Sequence, residues 1–290
     1  MGEINVVKSV LLIANEFPLE APETHLALAL AQREQATLTG FVAVNVEDLQ
    51  SIGPAAAGAF SYKYQIAQER LEHGLTDSRR ALGAVERLAE ERGFENFRPM
   101  YLEGDRDRLL VDVWRFQDIA FMSTKLWTPG LKIRGDAAAV LSLVARGLRP
   151  LIAVPPTAER TDPQSALICL SGSLDSAKAF KQFLALNLFG DLPLHIVTIG
   201  QPKSGESPQA LLAQATEYAR AVGYTQVEPT ALDTPNDGDR VKVITGHARK
   251  IQAGIIVSGS SYRHFLVMTR FGTHALGLLD SSPVPVFVSH

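Results

Sequence analysis

Two segments of the chain are similar enough to indicate an internal duplication. The apolar run at 119–123 returns at 255–260, and each copy precedes a basic-aromatic stretch, a glycine, a helical stretch and a closing apolar run. Ser123 precedes Gly135 by 12 residues, and Ser260 precedes Gly272 by the same interval. A repeat over most of 290 residues predicts two related domains, at 1–156 and 164–290, joined by a polar linker that contains prolines.

Within each copy, short apolar runs alternate with helical stretches. The predicted strands are 6–14, 38–44, 98–102, 119–122 and 151–154 in the first copy, and 166–170, 194–199, 227–232, 254–258 and 284–288 in the second. Strands joined by helices predict an α/β fold with two tandem Rossmann-like domains, each built on a five-stranded parallel sheet. Ligands of such sheets lie beyond the carboxyl ends of the strands.

Two further segments carry structural expectations. Residues 51–64 are rich in glycine, alanine and proline, and they predict a loop or lid before a long amphipathic helix at about 65–92. The closing apolar runs at 151–154 and 284–288 are short and flanked by proline. Because an uncovered strand edge pairs with other chains, each closing strand is expected to cover the other.

The composition excludes some partners. A net charge of -3 and a pI near 6.2 offer no long-range attraction to nucleic acid or to an anionic membrane surface. The first nine residues lack the pattern of a secretory signal, and no apolar run reaches the length of a membrane span. These observations predict a cytoplasmic protein that binds neither nucleic acid nor membrane.

The sequence contains few signs of catalytic or metal chemistry. The seven histidines are scattered without metal-ligand spacing, and no G-x-S-x-G nucleophile motif occurs. The single cysteine, Cys169, lies inside an apolar run and is interpreted as a buried structural thiol. We expect no catalytic residue and no metal other than Mg²⁺ carried by a nucleotide.

Polar residues follow three strand ends in the second copy and predict a phosphate site. Small side chains and glycines permit a ligand to approach the backbone, and a helix start after Gly272 offers free N–H groups to an anion. The predicted site residues are Ser171, Gly172, Ser173, Gly259, Ser260, Arg263, His264, Arg270, Gly272 and Thr273. The alternative is that Gly259 only ends a strand and that Gly272 and Thr273 only begin a helix.

The spacing around these residues resembles the signature of the universal stress protein family. That pattern is G-x-x-G, nine residues, then G-[S/T]; here Gly259-x-x-Tyr262 is followed after nine residues by Gly272-Thr273. The resemblance spans the whole chain as a tandem pair. It implies five-stranded domains of the adenine nucleotide alpha hydrolase type, a loop that holds ATP phosphates, and pairing through the closing strands into an internal pseudo-dimer with an approximate two-fold axis.

Departures from the family pattern differ between the copies. In the second copy, Tyr262 replaces the middle glycine, and Ser171 stands where the family usually has aspartate after the first strand. Arg263, His264 and Arg270 are candidates for binding phosphate or adenine by charge and stacking. The alternative is that Arg263 and Arg270 are solvated loop charges. In the first copy, Gly135 is followed by Asp136, whose carboxylate repels a phosphate. We therefore expect any site for ATP or another adenine nucleotide in the second copy alone.

Three functions remain open on this basis. The first is a non-catalytic stress-response sensor or adaptor that signals to an unidentified protein partner. The second is an interaction scaffold without nucleotide, in which segment 51–64 and the following helix bind a partner or cover a small ligand. The third is a slow ATP hydrolase. Association of two chains into a homodimer is compatible with each.

Overall fold

A computed structural model describes most of the chain. The described residues are 7–14, 21–50, 60–125, 136–146, 150–159, 161–234, 236–260, 262–265, 268–271 and 273–290. Only the backbone is described for residues 47, 48, 60, 136–139, 146, 237, 262–265, 268–271 and 273. Within these ranges, no helix combines the length and the apolar character that crossing a bilayer requires.

The first half alternates strands and helices in the predicted order. Its elements are β1 (Ser9–Ile13), α1 (Pro22–Glu34), β2 (Thr37–Val44), α2 (Val46–Gln50), α3 (Phe60–Glu91), β3 (Phe97–Glu103), α4 (Arg106–Trp114), β4 (Ile119–Ser123), α5 (Asp136–Arg146) and β5 (Leu151–Val154). Each of the five predicted strands is present, so the apolar runs were correctly interpreted.

The second half has the same order of main strands. Its elements are β6 (Ala166–Cys169), α6 (Leu174–Leu186), β7 (Leu194–Ile199), α7 (Pro208–Ala221), β8 (Val227–Leu232), α8 (Arg240–Lys250), β9 (Ile255–Gly259), β10 (Tyr262–Phe265), β11 (Met268–Phe271), α9 (Thr273–Ser281) and β12 (Val286–Ser289). The pair β10 and β11 forms a separate antiparallel two-stranded sheet.

One ten-stranded sheet unites the two halves. Its order is β3-β2-β1-β4-β5-β12-β9-β6-β7-β8, and all neighbours are parallel except β5 and β12 at the centre. The first half thus has the order 3-2-1-4-5, and the second half has the same order when it is read from its outer strand β8 inward to β12 at the centre. This confirms the predicted α/β class and the two tandem five-stranded sheets.

The central pair of strands marks an approximate two-fold axis. Val154 and Ser289 are equivalent, because their carbonyls accept hydrogen bonds from Thr124 N (2.9 Å) and Ser260 N (2.8 Å), the residues just beyond β4 and β9. The interval between Val154 and Ser289 also separates Ile152 from Phe287. Ile152 and Phe287 pair with each other in the sheet, so a residue and its own equivalent meet at the axis.

The same hydrogen bonds correct the register of the repeat. They make Thr124 the equivalent of Ser260, whereas the equal spacing of Ser123–Gly135 and Ser260–Gly272 aligned Ser123 with Ser260. Ser123 instead corresponds to Gly259, since these residues pair with Val154 and Ser289 in the closing strands. The two copies differ in length between these strand ends and the helices that follow, so equal spacing in the sequence did not identify equivalent residues.

Helices cover both faces of the sheet. Helices α1, α3, α6 and α7 pack on one face, where buried residues of both halves belong to a single apolar cluster that includes Leu28, Phe183 and Phe287. Helices α4, α5 and α9 pack on the other face of the first half, and α8 and α9 on that of the second. The two halves therefore share a core across the β5–β12 junction.

Two predictions about irregular segments were wrong. Helix α3 begins at Phe60, so the end of the predicted lid at 51–64 is helical; residues 51–59 lie outside the described ranges. The stretch from Tyr262 to Phe271, predicted as a loop, contains the β10–β11 hairpin, in which Arg263 and Arg270 are cross-strand partners. The sequence analysis also missed the short helix α2.

Candidate functional site

A pocket lies at the carboxyl ends of β6, β7 and β9, where the fold class places ligands. Its volume is about 140 Å³. Its described lining combines hydroxyls, charged groups and a few apolar residues: Cys169, Ser171, Ser173, Asp175, Ser176, Ile199, Lys203, Arg240, Ile244, Ser258, Gly259, His274 and Ala275. Three predicted site residues of the first strand-end segment and Gly259 thus meet around this pocket or next to it.

Three serine hydroxyls form one hydrogen-bonded cluster at the start of α6. Ser173 is the N-cap of the helix, and its Oγ accepts from Ser176 N at 3.2 Å and from Ser171 Oγ at 3.0 Å. Ser176 Oγ donates to Ser173 O at 2.8 Å and accepts from Ser171 N at 3.2 Å. These bonds fix the loop between β6 and α6, while hydroxyl rotation leaves O–H groups able to turn toward a ligand.

Two glycines permit the close packing around this cluster. Gly172 has a φ of 72°, and a Cβ there would lie 2.6 Å from Ser204 Oγ. A Cβ on Gly259 would lie 2.5 Å from the carbonyl of Asp175 and 2.6 Å from Ser176 N. Gly259 is therefore required because β9 meets the backbone of the first turn of α6, a structural reason that holds with or without a ligand.

The charged groups of the pocket favour an anion. Lys203 and Arg240 bring two cationic groups, against the single carboxylate of Asp175. The guanidinium of Arg240 is held at the end of β7 by a hydrogen bond of 2.7 Å from Nη1 to Ile199 O. The backbone N–H of Lys203 donates to Ser171 O at 2.8 Å, which ties the loop after β7 to the serine cluster.

The thiol in the pocket is not a nucleophile at neutral pH. Cys169 is partly buried and makes no disulfide. Burial raises the pKa of its thiol to about 12, and the thiolate is the reactive form. The interpretation of Cys169 as a structural thiol agrees with this environment.

The remaining predicted residues are placed less directly. Ser260 is buried, and its backbone is held by the end of the chain: its N–H donates to Ser289 O, and its carbonyl lies 2.7 Å from His290 Nδ1. Its hydroxyl has no hydrogen-bond partner in the described structure. Arg263, His264 and Arg270 lie on the β10–β11 hairpin, Thr273 begins α9, and Gly272 lies outside the described ranges.

Sequence reasoning missed the two cations of the pocket. Lys203 lies in the loop after β7, and Arg240 begins α8, so both occupy the carboxyl side of the sheet. The rule that ligands lie beyond the carboxyl strand ends applies to this loop as well. The position of Lys203 just after the predicted strand at 194–199 therefore indicated a pocket residue, whereas the family motif covers only residues 259–273.

The corresponding region of the first half contains a buried carboxyl group. Glu23, in the first turn of α1, is only 4% exposed. Burial raises its pKa from 4.5 to about 7. Residues 126–135, which include Gly135, lie outside the described ranges, so the predicted loss of nucleotide binding by the first half remains a prediction.

No cluster of three or more histidine, cysteine, aspartate or glutamate side chains suited to a metal ion occurs among the described residues. Beside the Asp175 carboxylate and His274, the pocket offers hydroxyls and the cationic side chains of Lys203 and Arg240, which are donors suited to an oxyanion.

The fold and the crevice define a class: a tandem, doubly wound α/β protein with a ligand pocket at the carboxyl strand ends. Its fold is that of the universal stress proteins. The crystal structure of a universal stress protein from Archaeoglobus fulgidus DSM 4304 matches with a TM-score of 0.63 and 15% sequence identity, covering 97% of both chains. A functionally unknown protein from Pseudomonas aeruginosa PAO1 matches with a TM-score of 0.55 and 15% identity, covering 98% of this chain and 93% of that one.

Sequence comparison gives no further guide. No protein-family model matches the chain, and no curated protein sequence matches it. The structural likeness confirms the fold that the resemblance implied.

Proposed function

We propose that this chain is a tandem universal stress protein that acts as a non-catalytic sensor of a phosphate-bearing ligand, with an adenine nucleotide as the first candidate. The observation that supports it is the pocket where the serine cluster of Ser171, Ser173 and Ser176 faces Lys203 and Arg240. Hydroxyls and cations at a helix N-terminus are suited to phosphate oxygens.

The size of the pocket limits what it holds. Pockets that enclose a whole small-molecule ligand have volumes of roughly 300–1,000 Å³, whereas this one has about 140 Å³. A phosphate group fits such a volume, and the sugar and base of a nucleotide would extend beyond it. The proposal therefore assigns the phosphate to the pocket and makes the base the weaker determinant of affinity.

Isothermal titration calorimetry with ATP, ADP, AMP and inorganic phosphate tests the proposal. Lys203→Gln removes a pocket cation and is expected to weaken nucleotide binding roughly tenfold. Lys178→Gln removes an exposed charge from α6 outside the pocket lining and is expected to leave the affinity unchanged. If both substitutions weakened nucleotide binding equally, the binding would be explained by nonspecific charge attraction, and the assignment of Lys203 to the site would be wrong.

The outcome also separates the other two functions. If none of the four ligands binds, the nucleotide sensor is wrong, and the scaffold becomes the better hypothesis. If ATP binds, a single-turnover phosphate-release assay with Mg²⁺ decides whether the chain hydrolyses it. Native mass spectrometry of freshly purified protein shows whether a nucleotide is retained.

The partner and the domain division complete the proposal. Ligand binding in the crevice would change a surface that an unidentified protein partner recognises. In this proposal the two domains are 1–156 and 164–290, and residues 157–163 link them. The internal pseudo-dimer of the two domains would be the functional unit. Size-exclusion chromatography with light scattering tests whether two such chains form a homodimer.

A further inference from the structure

A second and larger cavity lies at the opposite ends of the strands in the second half of the sheet. Its volume is about 530 Å³, and it lies at the amino ends of β6, β9 and β12, away from the phosphate pocket. Three segments distant in sequence form its described lining, namely the linker, the end of α8 and the loop before β12: Thr157, Glu159, Thr161, Asp162, Pro163, Gln164, Ala248, Arg249, Gln252, Ala253, Gly254, Pro283, Val284 and Pro285.

The walls of this linker cavity are held in place by backbone contacts. Gly254 N donates to Ser165 O at 3.0 Å, and a Cβ on Gly254 would lie 2.7 Å from Pro163 Cα. The linker is also fastened to the first half, because Asp162 forms an ion pair with Arg33 of α1. Prolines in two of the three segments limit backbone freedom. The cavity is therefore preformed, as small-molecule sites usually are.

Opposite charges with no partner occupy the lining. Glu159 and Arg249 are both exposed, and neither side chain forms an ion pair or hydrogen bond with any other residue that the structure describes. Asp162, in contrast, is committed to Arg33. The same lining contains Pro163, Ala253 and Pro285, which are buried and supply an apolar floor.

This combination excludes several ligand classes. The Glu159 carboxylate in the described lining repels a phosphate, whereas the Asp162 carboxylate is already neutralised by Arg33. The described lining contains no aromatic ring on which a nucleobase would stack. No described cluster of acidic or histidine side chains is suited to a metal ion.

We propose that the linker cavity binds a small zwitterion of the amino-acid or dipeptide type. The guanidinium of Arg249 takes the carboxylate, Glu159 takes the ammonium group, and the ligand side chain contacts the proline floor. A volume of about 530 Å³ lies within the usual range for a small-molecule site, which suits a dipeptide better than a single amino acid. This site is independent of the proposed phosphate pocket.

Calorimetric titration with the dipeptide alanyl-leucine tests the assignment. A Kd of ~1 mM or tighter is expected, since exposed charges contribute modestly to affinity. Arg249→Gln is expected to weaken binding about tenfold, and Glu159→Gln about fivefold. Lys250→Gln, a change at the exposed neighbour of Arg249, serves as the matched control and should leave the Kd unchanged.

Blocked ligands separate specific recognition from hydrophobic binding. Alanyl-leucine amide lacks the carboxylate, so its weaker binding should be insensitive to Arg249→Gln; the N-acetylated dipeptide should likewise be insensitive to Glu159→Gln. Equal binding of the blocked and unblocked dipeptides would overturn the proposal, as would the absence of binding at ~10 mM. Circular dichroism of each variant establishes that a loss of binding does not reflect unfolding.

Discussion

At the level of single residues, burial and close contacts explain the properties of three side-chain positions better than the residue types alone do. Cys169 is inert because burial raises its pKa. Gly259, part of the family motif, is required by a backbone contact with Asp175 and Ser176. Glu23 is a buried carboxyl group, and its pKa of about 7 makes the stability of the protein depend on pH.

Glu23→Gln is expected to stabilise the protein at pH 8. The native pKa of about 7 exceeds the ordinary value of 4.5, so the native state binds more protons between these pH values, and stability falls as pH rises through that window. Since one pKa unit corresponds to ~1.4 kcal/mol, the substitution should raise the free energy of unfolding by about 3 kcal/mol at pH 8 and by little at pH 4.5. Urea denaturation across this range measures the difference.

Glu86→Gln is the control, because Glu86 is exposed on α3. Its effect on the free energy of unfolding should stay within about 0.5 kcal/mol. A pH-independent effect of Glu23→Gln would contradict the assignment of the raised pKa.

At the scale of elements, packing fixed features that local sequence preferences left open. The outer strands β3 and β8 each carry a proline at their third position, Pro99 and Pro229. Proline at a sheet edge removes a donor and discourages pairing with another chain. The central strands β5 and β12 lack such protection, and they pair with each other. The sheet therefore ends at its outer strands and is continuous at its centre.

Gly259→Ala tests the contact between β9 and α6. The added Cβ would lie within 2.6 Å of the helix backbone, so the free energy of unfolding is expected to fall by about 1–3 kcal/mol. Gly83→Ala is the matched control, because a Cβ on this α3 residue meets no heavy atom within 4 Å. The control should instead raise the free energy of unfolding by about 0.5–1 kcal/mol. Thermal and urea unfolding of both variants measure the two changes in the free energy of unfolding. If both changes had the same sign, the contact between β9 and α6 would be refuted.

At the scale of the whole molecule, the two halves share one apolar core. Phe287 on β12 is fully buried and makes an edge-on contact with Phe183 of α6, with ring centroids 5.3 Å apart. Both belong to the cluster that also contains Leu28 of the first half. A shared core couples the halves, so the chain is expected to unfold in a single cooperative transition.

Phe287→Ala is expected to lower the free energy of unfolding by about 3–5 kcal/mol and to lower the temperature of one common transition. Differential scanning calorimetry measures both quantities. Phe116→Ala is the control, because Phe116 is 80% exposed, and its effect should stay within about 0.5 kcal/mol. Two separate transitions, of which only one responds to Phe287→Ala, would show that the halves unfold independently.

The duplication, the ten main strands and the position of Ser171 and Ser173 beyond a carboxyl strand end were predictable from the sequence, because apolar periodicity and strand-end polarity are local properties. The register of the repeat, the β10–β11 hairpin, the position of Lys203 and Arg240 in the pocket of the serine cluster, and the linker cavity with Glu159 and Arg249 became apparent from the tertiary structure alone. Those features join segments far apart in the chain, and the distance between such segments depends on packing, which no local pattern of residues encodes.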